Sequence, residues 1–334
     1  MTDLRIEATR GDLVESVHRV SVAVVRADGR LVAEAGDPSQ VTFWRSAAKP
    51  FQALPLLEDG AADALGLTPP ELALACASHS SEAAHLAVAA GFLRRIGATV
   101  DDLACGPHTP LSPAVADRVV REGVALTPLW SNCSGKHAGM LALARHHGWP
   151  TAGYNLPDHP VQRRILDEVA RWAEVPVAAI RTATDGCTAV TFALPLTAMA
   201  GAWARFGSAT TPGPARLRSA MTAHPELVAG TGRLCTELMA AWRGRVLAKV
   251  GAAGVYCAAL PELGLGVALK VVDGDSAAAA PALLAVLRAL LVRAAPGRGY
   301  DLAPFEVHAE SPIATTRGTT VGAVRAAGTL RFRD

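Results

Sequence analysis

Strand-like segments gather at the two ends of this 334-residue chain, and the long stretch between them reads as helix. Residues 17–25 alternate well enough for a strand. Ala27-Asp28-Gly29-Arg30 is a turn signal, and residues 31–35 complete a hairpin that should open the fold. Near the other end, strands are expected over 246–250, 254–260, 266–272 and close to 321–332. Helices are expected over 45–57, from the capping box Thr68-Pro69-Pro70-Glu71, over 81–96 ended by Gly97, over 160–173, and over 287–294 as the end of a buried one. Pro50 is compatible with the first of these if that helix starts near Ser46, because proline is tolerated in a first turn. Residues 207–214, with Gly, Thr and Pro together, are the most loop-like stretch. Strands from both ends bury most simply in one antiparallel sheet flanked by helices, so an α+β fold is expected. There is no long linker and no internal repeat, so residues 1–334 are read as a single domain.

Half of the residues are apolar and 19% are charged, which is enough for a substantial core and excludes general disorder. A net charge of +2 without a basic run argues against nucleic acid as the main partner. The amino terminus lacks the basic-then-apolar layout of a secretory signal. The longest apolar run, 277–287, is about half of a membrane span and reads as a buried helix. A soluble cytoplasmic protein is therefore expected, not associated with a membrane. Its six cysteines should then be reduced rather than paired.

Four lysines stand against twenty-eight arginines: Lys49, Lys136, Lys249 and Lys270. With surface charge written as arginine, the remaining lysines are candidates for places where arginine will not serve. A desolvated ammonium can give up its proton, whereas a guanidinium in a protein cannot. Ser46 lies three residues before Lys49, on one face if the segment is helical. At a helix start its hydroxyl would also feel the positive end of the dipole. That makes Ser46–Lys49 a candidate nucleophile and base; a cap followed by a solvated lysine is the plainer alternative. Ser78 sits further from the following helix than Ser80 or Ser81, either of which could cap it, so Ser78 is the one that capping explains least. Lys249, before Val250-Gly251, interrupts an apolar strand, and Lys270 has the same ambiguity between burial and solvent. SxxK, then a second serine, then Lys-x-Gly is the order found in penicillin-binding and serine β-lactamase enzymes. Asn132-Cys133-Ser134-Gly135-Lys136-His137 and Asp185-Gly186-Cys187 each bring one thiol in a polar, glycine-containing turn. The two thiols are plausible zinc ligands, with plain burial as the alternative. Cys76, Cys105 and Cys257 are read as buried thiols.

Taken together, these segments resemble the L-asparaginase II family, the rhizobial type with no threonine nucleophile. The resemblance runs over nearly the whole chain. It rests on Arg45-Ser46-Ala47-Ala48-Lys49-Pro50-Phe51-Gln52, Cys76-Ala77-Ser78-His79-Ser80, Cys105-Gly106-Pro107-His108, the Asn132–His137 and Asp185–Cys187 segments, and His224-Pro225-Glu226-Leu227-Val228-Ala229-Gly230. It implies a fold similar to serine β-lactamases and glutaminases, a homodimer, and hydrolysis of L-asparagine to L-aspartate and ammonia. It further implies two Ser-Lys pairs, Ser46 with Lys49 and Ser78 with Lys249, with Lys270 as rival for the last place. By the same resemblance, Cys133, Lys136 and Cys187 hold about one zinc per chain, and Arg45, Asp185 and His137 serve substrate binding. Cys235, in Thr231-Gly232-Arg233-Leu234-Cys235, matches a family cysteine near the site. Two other readings stay open: a Ser-Lys enzyme acting on glutamine or a cyclic amide, and a catalytically silent amino-acid-binding protein.

Overall fold

The computed structural model describes residues 3–333 and is α+β, with its main antiparallel sheet built from both chain ends. In chain order the strands are β1 (Leu4–Arg10), β2 (Leu13–Arg26), β3 (Leu31–Ala35), β4 (Val41–Phe43), β5 (Arg181–Thr184), β6 (Val190–Pro195), β7 (Leu247–Gly251), β8 (Val255–Leu260), β9 (Leu265–Val271), β10 (Glu310–Ala314), β11 (Thr320–Ala327) and β12 (Arg331–Phe332). The chain divides into two compact units, neither of them contiguous. A sheet unit holds the residues up to Ala47, Leu194–Ser208 and the residues from Ala248 onward; a helical unit holds Ala48–Ala193 and Ala209–Leu247.

In the sheet unit the order is β10-β11-β1-β2-β9-β8-β7, with β3 beside β2 and β12 beside β3. β2 is long enough to serve different partners with its two halves. Residues 13–20 pair with β1, while residues 22–25 pair with β3 on one edge and 20–26 with β9 on the other. Only the second half is buried, from Val20 to Val25. Every residue of β9 is buried, as a central strand covered on both faces requires. Its covering helices are Leu196–Ser208 and Ala279–Ala294, which both pack on β9. Among the described residues no helix is long and apolar enough to cross a membrane.

The strands expected over 246–250, 254–260 and 266–272 lie there to within a residue, whereas the terminal one is split into β11 and β12 with different partners and is preceded by β10, which the sequence did not show. The opening differs: the β2–β3 hairpin is present, but β1 precedes it and forms the first hairpin with β2. The expected helix over 45–57 is broken into a 3₁₀ turn, Arg45–Ala48, and two short helices, Lys49–Ala53 and Pro55–Glu58. Pro55 lacks the N–H needed to continue a helix but suits the first position of a new one. Residues 207–214 are mostly helical rather than loop. One helix runs to Ser208, the next starts at Pro212, and both prolines sit in its first turn.

The helical unit contains the expected helices Pro69–Ala75, Ala83–Arg95 and Pro160–Ala173. A mid-chain hairpin of β5 and β6 was not legible in the sequence. At the centre of the unit lies the helix Ser134–His146, buried throughout Ser134–Ala144. It approaches the helix Pro69–Ala75 so closely that a Cβ on Gly135 would stand 2.3 Å from the Leu74 carbonyl oxygen. Glycine is therefore the residue that fits there, and its absence of side chain lets the Cys133–Lys136 turn lie against the segment leading to Ser78.

Candidate active site

Ser78 follows the C-terminal end of the helix Pro69–Ala75 in a segment tied down on both sides. Its own N–H donates to the Val228 carbonyl at 3.0 Å, and the His79 N–H donates to the Asn132 carbonyl at 3.2 Å. The neighbouring hydroxyls are spent on the same stitching: Ser80 Oγ donates to Ala229 O at 3.0 Å and Ser81 Oγ to Trp130 O at 2.9 Å. Neither serine caps the next helix, because Glu82 does so in a capping box with His85. Gly230 must be glycine, with φ at 138° and a would-be Cβ only 2.6 Å from Ser80 Oγ. That contact lets the 224–230 segment press against the Ser78 segment.

Lys49 is the first residue of its helix and is 1% exposed. Its Nζ donates to Ser78 Oγ at 3.1 Å and to the carbonyls of Ala77 and, at 3.4 Å, Asn132. Every one of these partners is a neutral oxygen. A buried amine placed on a serine hydroxyl without a carboxylate beside it is the arrangement that proton transfer between the two requires.

Three positive-φ residues other than glycine stand next to candidate residues in the chain: Arg45 at 53°, Ser81 at 58° and Thr188 at 76°. One directly precedes Ser46, one closes the Ser78 loop, and one directly follows Cys187. Left-handed backbone of this kind costs about 1–3 kcal/mol per residue and gathers where a geometry must be held.

Cys133, Lys136 and Cys187 come together although fifty residues separate the last two. Lys136 Nζ donates to Cys187 Sγ at 2.9 Å, and the Cys133 thiol, which donates to Asn132 Oδ1 at 2.9 Å, lies within interaction distance of Cys187. The interaction with Cys133, helped by the Lys136 charge against the opposing effect of burial, brings the Cys187 thiol down to about 4. Cys133 moves the other way, to about 12, through the same thiol pair and its burial. Burial works against the Lys136 ammonium, yet the two sulfurs outweigh it and its pKa is raised. Without metal the cluster is thus an ammonium–thiolate pair with a second thiol beside it. No group of three His, Cys, Asp or Glu among the described residues could hold a metal ion. Three donors are present only when the lysine nitrogen is counted. Two sulfurs and a nitrogen within reach of one another fit a borderline-soft cation of zinc type.

The positions expected to bind substrate are placed differently from one another. Asp185 is half-buried in the turn joining β5 and β6, held by its N–H to the Ala189 carbonyl at 2.8 Å, and its charge acts on Lys136. His137 is completely buried. Its Nδ1 meets the Tyr154 hydroxyl at 2.7 Å, and burial, with Lys136 adding to it, lowers its pKa to about 3. It is a neutral wall behind the thiol cluster. Arg45 is half-buried in the strained position before Ser46, which is itself half-buried in the 3₁₀ turn.

Ser46 and Lys249 belong to the sheet unit, Lys49 and Ser78 to the helical one. Lys249 lies on β7 with no exposure, and its Nζ donates to the Val250 carbonyl at 2.9 Å. Lys270, on β9, donates to Ala253 O at 2.7 Å and to Val271 O. Ala253 itself has φ at 57°, so Lys270 secures the strained turn between β7 and β8.

Sequence reading missed two residues of the Ser78 neighbourhood. His79 accepts the Ser81 N–H on Nδ1 at 3.2 Å, which leaves its Nε2–H to donate to Ser134 Oγ at 2.9 Å. Arg233 donates to the Ser78 carbonyl at 2.6 Å. Both stand inside quoted motifs, yet nothing in their spacing says what they touch.

A model of the L-asparaginase II family matches residues 6–326, and the chain belongs to that family. It is accordingly an asparaginase-type amidohydrolase, with an amide as its substrate class. No curated protein matches the chain.

Proposed function

We propose that this protein hydrolyses L-asparagine to L-aspartate and ammonia through serine–lysine chemistry. The observation that carries the reading is the Lys49 amine, buried and set 3.1 Å from the Ser78 hydroxyl among neutral oxygens. Ser46 is the nucleophile in this scheme, since it is half-buried and reachable while Ser78 is 4% exposed and already bonded to Lys49. Its Oγ adds to the side-chain amide carbon and its proton passes to Lys49. The C–N bond then breaks, ammonia leaves with a proton returned by the lysine–serine relay, and water hydrolyses the aspartyl ester to restore Ser46. Ser78 and Lys249 complete the relay. Lys249 is preferred over Lys270 because Lys270 already has a structural task at the Ala253 turn.

Zinc fits the reading through Cys133, Lys136 and Cys187, with neutral lysine as the nitrogen donor. Bound there, it would supply Lewis acidity and a fixed charge beside Asp185. The chain's own part is to hold the two segments that carry these residues, with Asp185 near Lys136 orienting the substrate. The family resemblance also carries a homodimer. The apolar side chains of Leu13 and Val17, 68% and 46% exposed on the projecting half of β2, are surface that such a contact would cover. Sedimentation at equilibrium tests that part.

The function itself is tested by ammonia release from L-asparagine, L-glutamine and a chromogenic β-lactam, with wild type, Ser46→Ala and Ser78→Ala. Turnover of asparagine above the other two, lost in Ser46→Ala, is expected. If Ser46→Ala kept a tenth of the activity while Ser78→Ala lost it, the two serines would exchange roles.

A further inference from the structure

Arg233 immediately precedes the helix Leu234–Trp242 and is half-buried. Its Nη1 donates to the carbonyls of Ser78 at 2.6 Å and Ala229 at 3.4 Å, which fixes the plane of the guanidinium beside Ser78. Its Nε and Nη2 form the other edge of the fork, and no hydrogen bond from them is present among the described residues. No carboxylate of those residues pairs with it either. Glu82, the acid stitched into the same loop, has its two oxygens occupied by the N–H of Thr231 at 3.0 Å and the hydroxyl of Thr231 at 3.1 Å.

Lys49 approaches Ser78 with only neutral oxygens around its amine. Arg233 brings a permanent positive charge beside Ser78, and among the described residues no carboxylate pairs with it. A desolvated charge without a counter-ion is costly, and sites that tolerate one usually receive the counter-ion from a ligand. A guanidinium is the group best matched to a carboxylate, because two parallel N–H donors meet two oxygens.

We infer that Arg233 recognises the α-carboxylate of the substrate, and so restricts the enzyme to free amino-acid amides. The inference rests on the proposed amidase reading of the Ser78 site. It extends that reading by naming the group that separates asparagine from a neutral amide of the same side-chain length. A site built to pair with a charged group rejects an analogue lacking it, because its own charge is then left uncompensated.

The test compares L-asparagine with 3-aminopropanamide, the same molecule without its carboxylate, in wild type, Arg233→Ala and Arg233→Lys. Arg233→Ala should lower kcat/KM on asparagine by about a hundredfold, mainly through KM, and change that on 3-aminopropanamide by less than about threefold. Arg233→Lys should fall between, since it keeps the charge and loses the fork. Equal losses on both substrates would overturn the inference and make Arg233 a prop for the Ser78 carbonyl; so would no loss on asparagine. Calorimetric titration with L-aspartate and with β-alanine, which lacks the α-carboxylate, gives the same comparison without turnover. If wild type releases no ammonia from asparagine yet binds aspartate in an Arg233-dependent way, the amidase reading fails and the recognition stands. If wild type binds neither aspartate nor asparagine, the recognition is wrong.

Discussion

The helical unit buries two lysines and treats them in opposite ways. Lys49 is surrounded by main-chain carbonyls and one hydroxyl, all neutral, whereas Lys136 lies against a thiolate and a second thiol. Burial disfavours the Lys136 ammonium. At Lys136 the sulfurs outweigh it, and the cation becomes part of a fixed pair. At Lys49 the hydrogen-bond partners are neutral oxygens. The same side chain thus meets neutral oxygens in one place and sulfur in the other, and the proposed roles differ accordingly.

The difference is broken most directly by replacing each lysine with arginine. Lys49→Arg keeps a charge that cannot be cycled, so kcat/KM should fall by about a thousandfold or more with the circular dichroism spectrum unchanged. Activity within tenfold of wild type would make Lys49 a mere counter-charge and reduce it to the kind of role Lys136 has. The next largest effect is expected on β7. Lys249→Arg should cost about a hundredfold in kcat, close to Lys249→Ala, whereas Lys270→Arg should lower the melting temperature more than it lowers turnover, because its amine holds the Ala253 carbonyl. A severe kinetic loss in Lys270→Arg with a mild one in Lys249→Arg would exchange the two.

The sequence made the candidate residues legible but not all of their partners. The scarcity of lysine singled out Lys49 and Lys136, and strands β7 to β9 were readable from their apolar runs because a buried central strand such as β9 has few other ways to look. The break at Pro55 was available in the sequence and is explained by a missing N–H. The convergence of Cys133 with Cys187 was not readable from spacing. It depends on the turn between β5 and β6, an element whose Thr-rich first strand is exposed and so has no burial pattern. The pairing of Lys49 with Ser78, and of Arg233 with the Ser78 carbonyl, is tertiary in the same sense: the partners stand 29 and 155 residues apart.

Metal removal probes the other side of the comparison with a smaller effect. Protein purified without chelator should contain about one zinc per chain, and Cys187→Ser should contain far less. If the metal orders the pocket and the lysine–serine relay performs the chemistry, chelation should raise KM about tenfold and change kcat by no more than about threefold. A collapse of kcat with KM unchanged would mean that the metal makes the nucleophile, and Lys49 would lose its special place. Binding should also weaken as pH falls, since protons compete for the sulfurs and for the Lys136 lone pair.

The smallest effect tests what joins the two regions. His79 donates from Nε2 to Ser134, the residue between Cys133 and Lys136 in the turn, while its own backbone continues from Ser78. Burial, followed by the nearby His85, Lys49, His108 and Arg233, lowers its pKa well below the usual histidine range. His137, beside the thiol cluster, is lowered to about 3, and His85 is lowered as well. These histidines are neutral in the folded protein and protonate more readily in the unfolded chain. Above about pH 6.5 neither state takes up the proton and their contribution is fully present. As pH falls below that value the unfolded state gains protons first, so stability declines, by up to about 1.4 kcal/mol per pH unit for each histidine. Urea midpoints measured at pH 7.5, 6.5 and 5.5 should therefore drop over both intervals, the first drop coming from the Cys187 thiolate and the second being steeper because the histidines add to it. Carboxylates titrate mostly below this range, and the Cys187 contribution is common to wild type and the His79 variant. His79→Gln retains an N–H for Ser134 but removes the titration, so its drop between pH 6.5 and 5.5 should be shallower than that of wild type. An unchanged drop would show that His79 is not among the groups responsible, and that the link between the Ser78 segment and the Cys133–Lys136 turn does not depend on its neutral form.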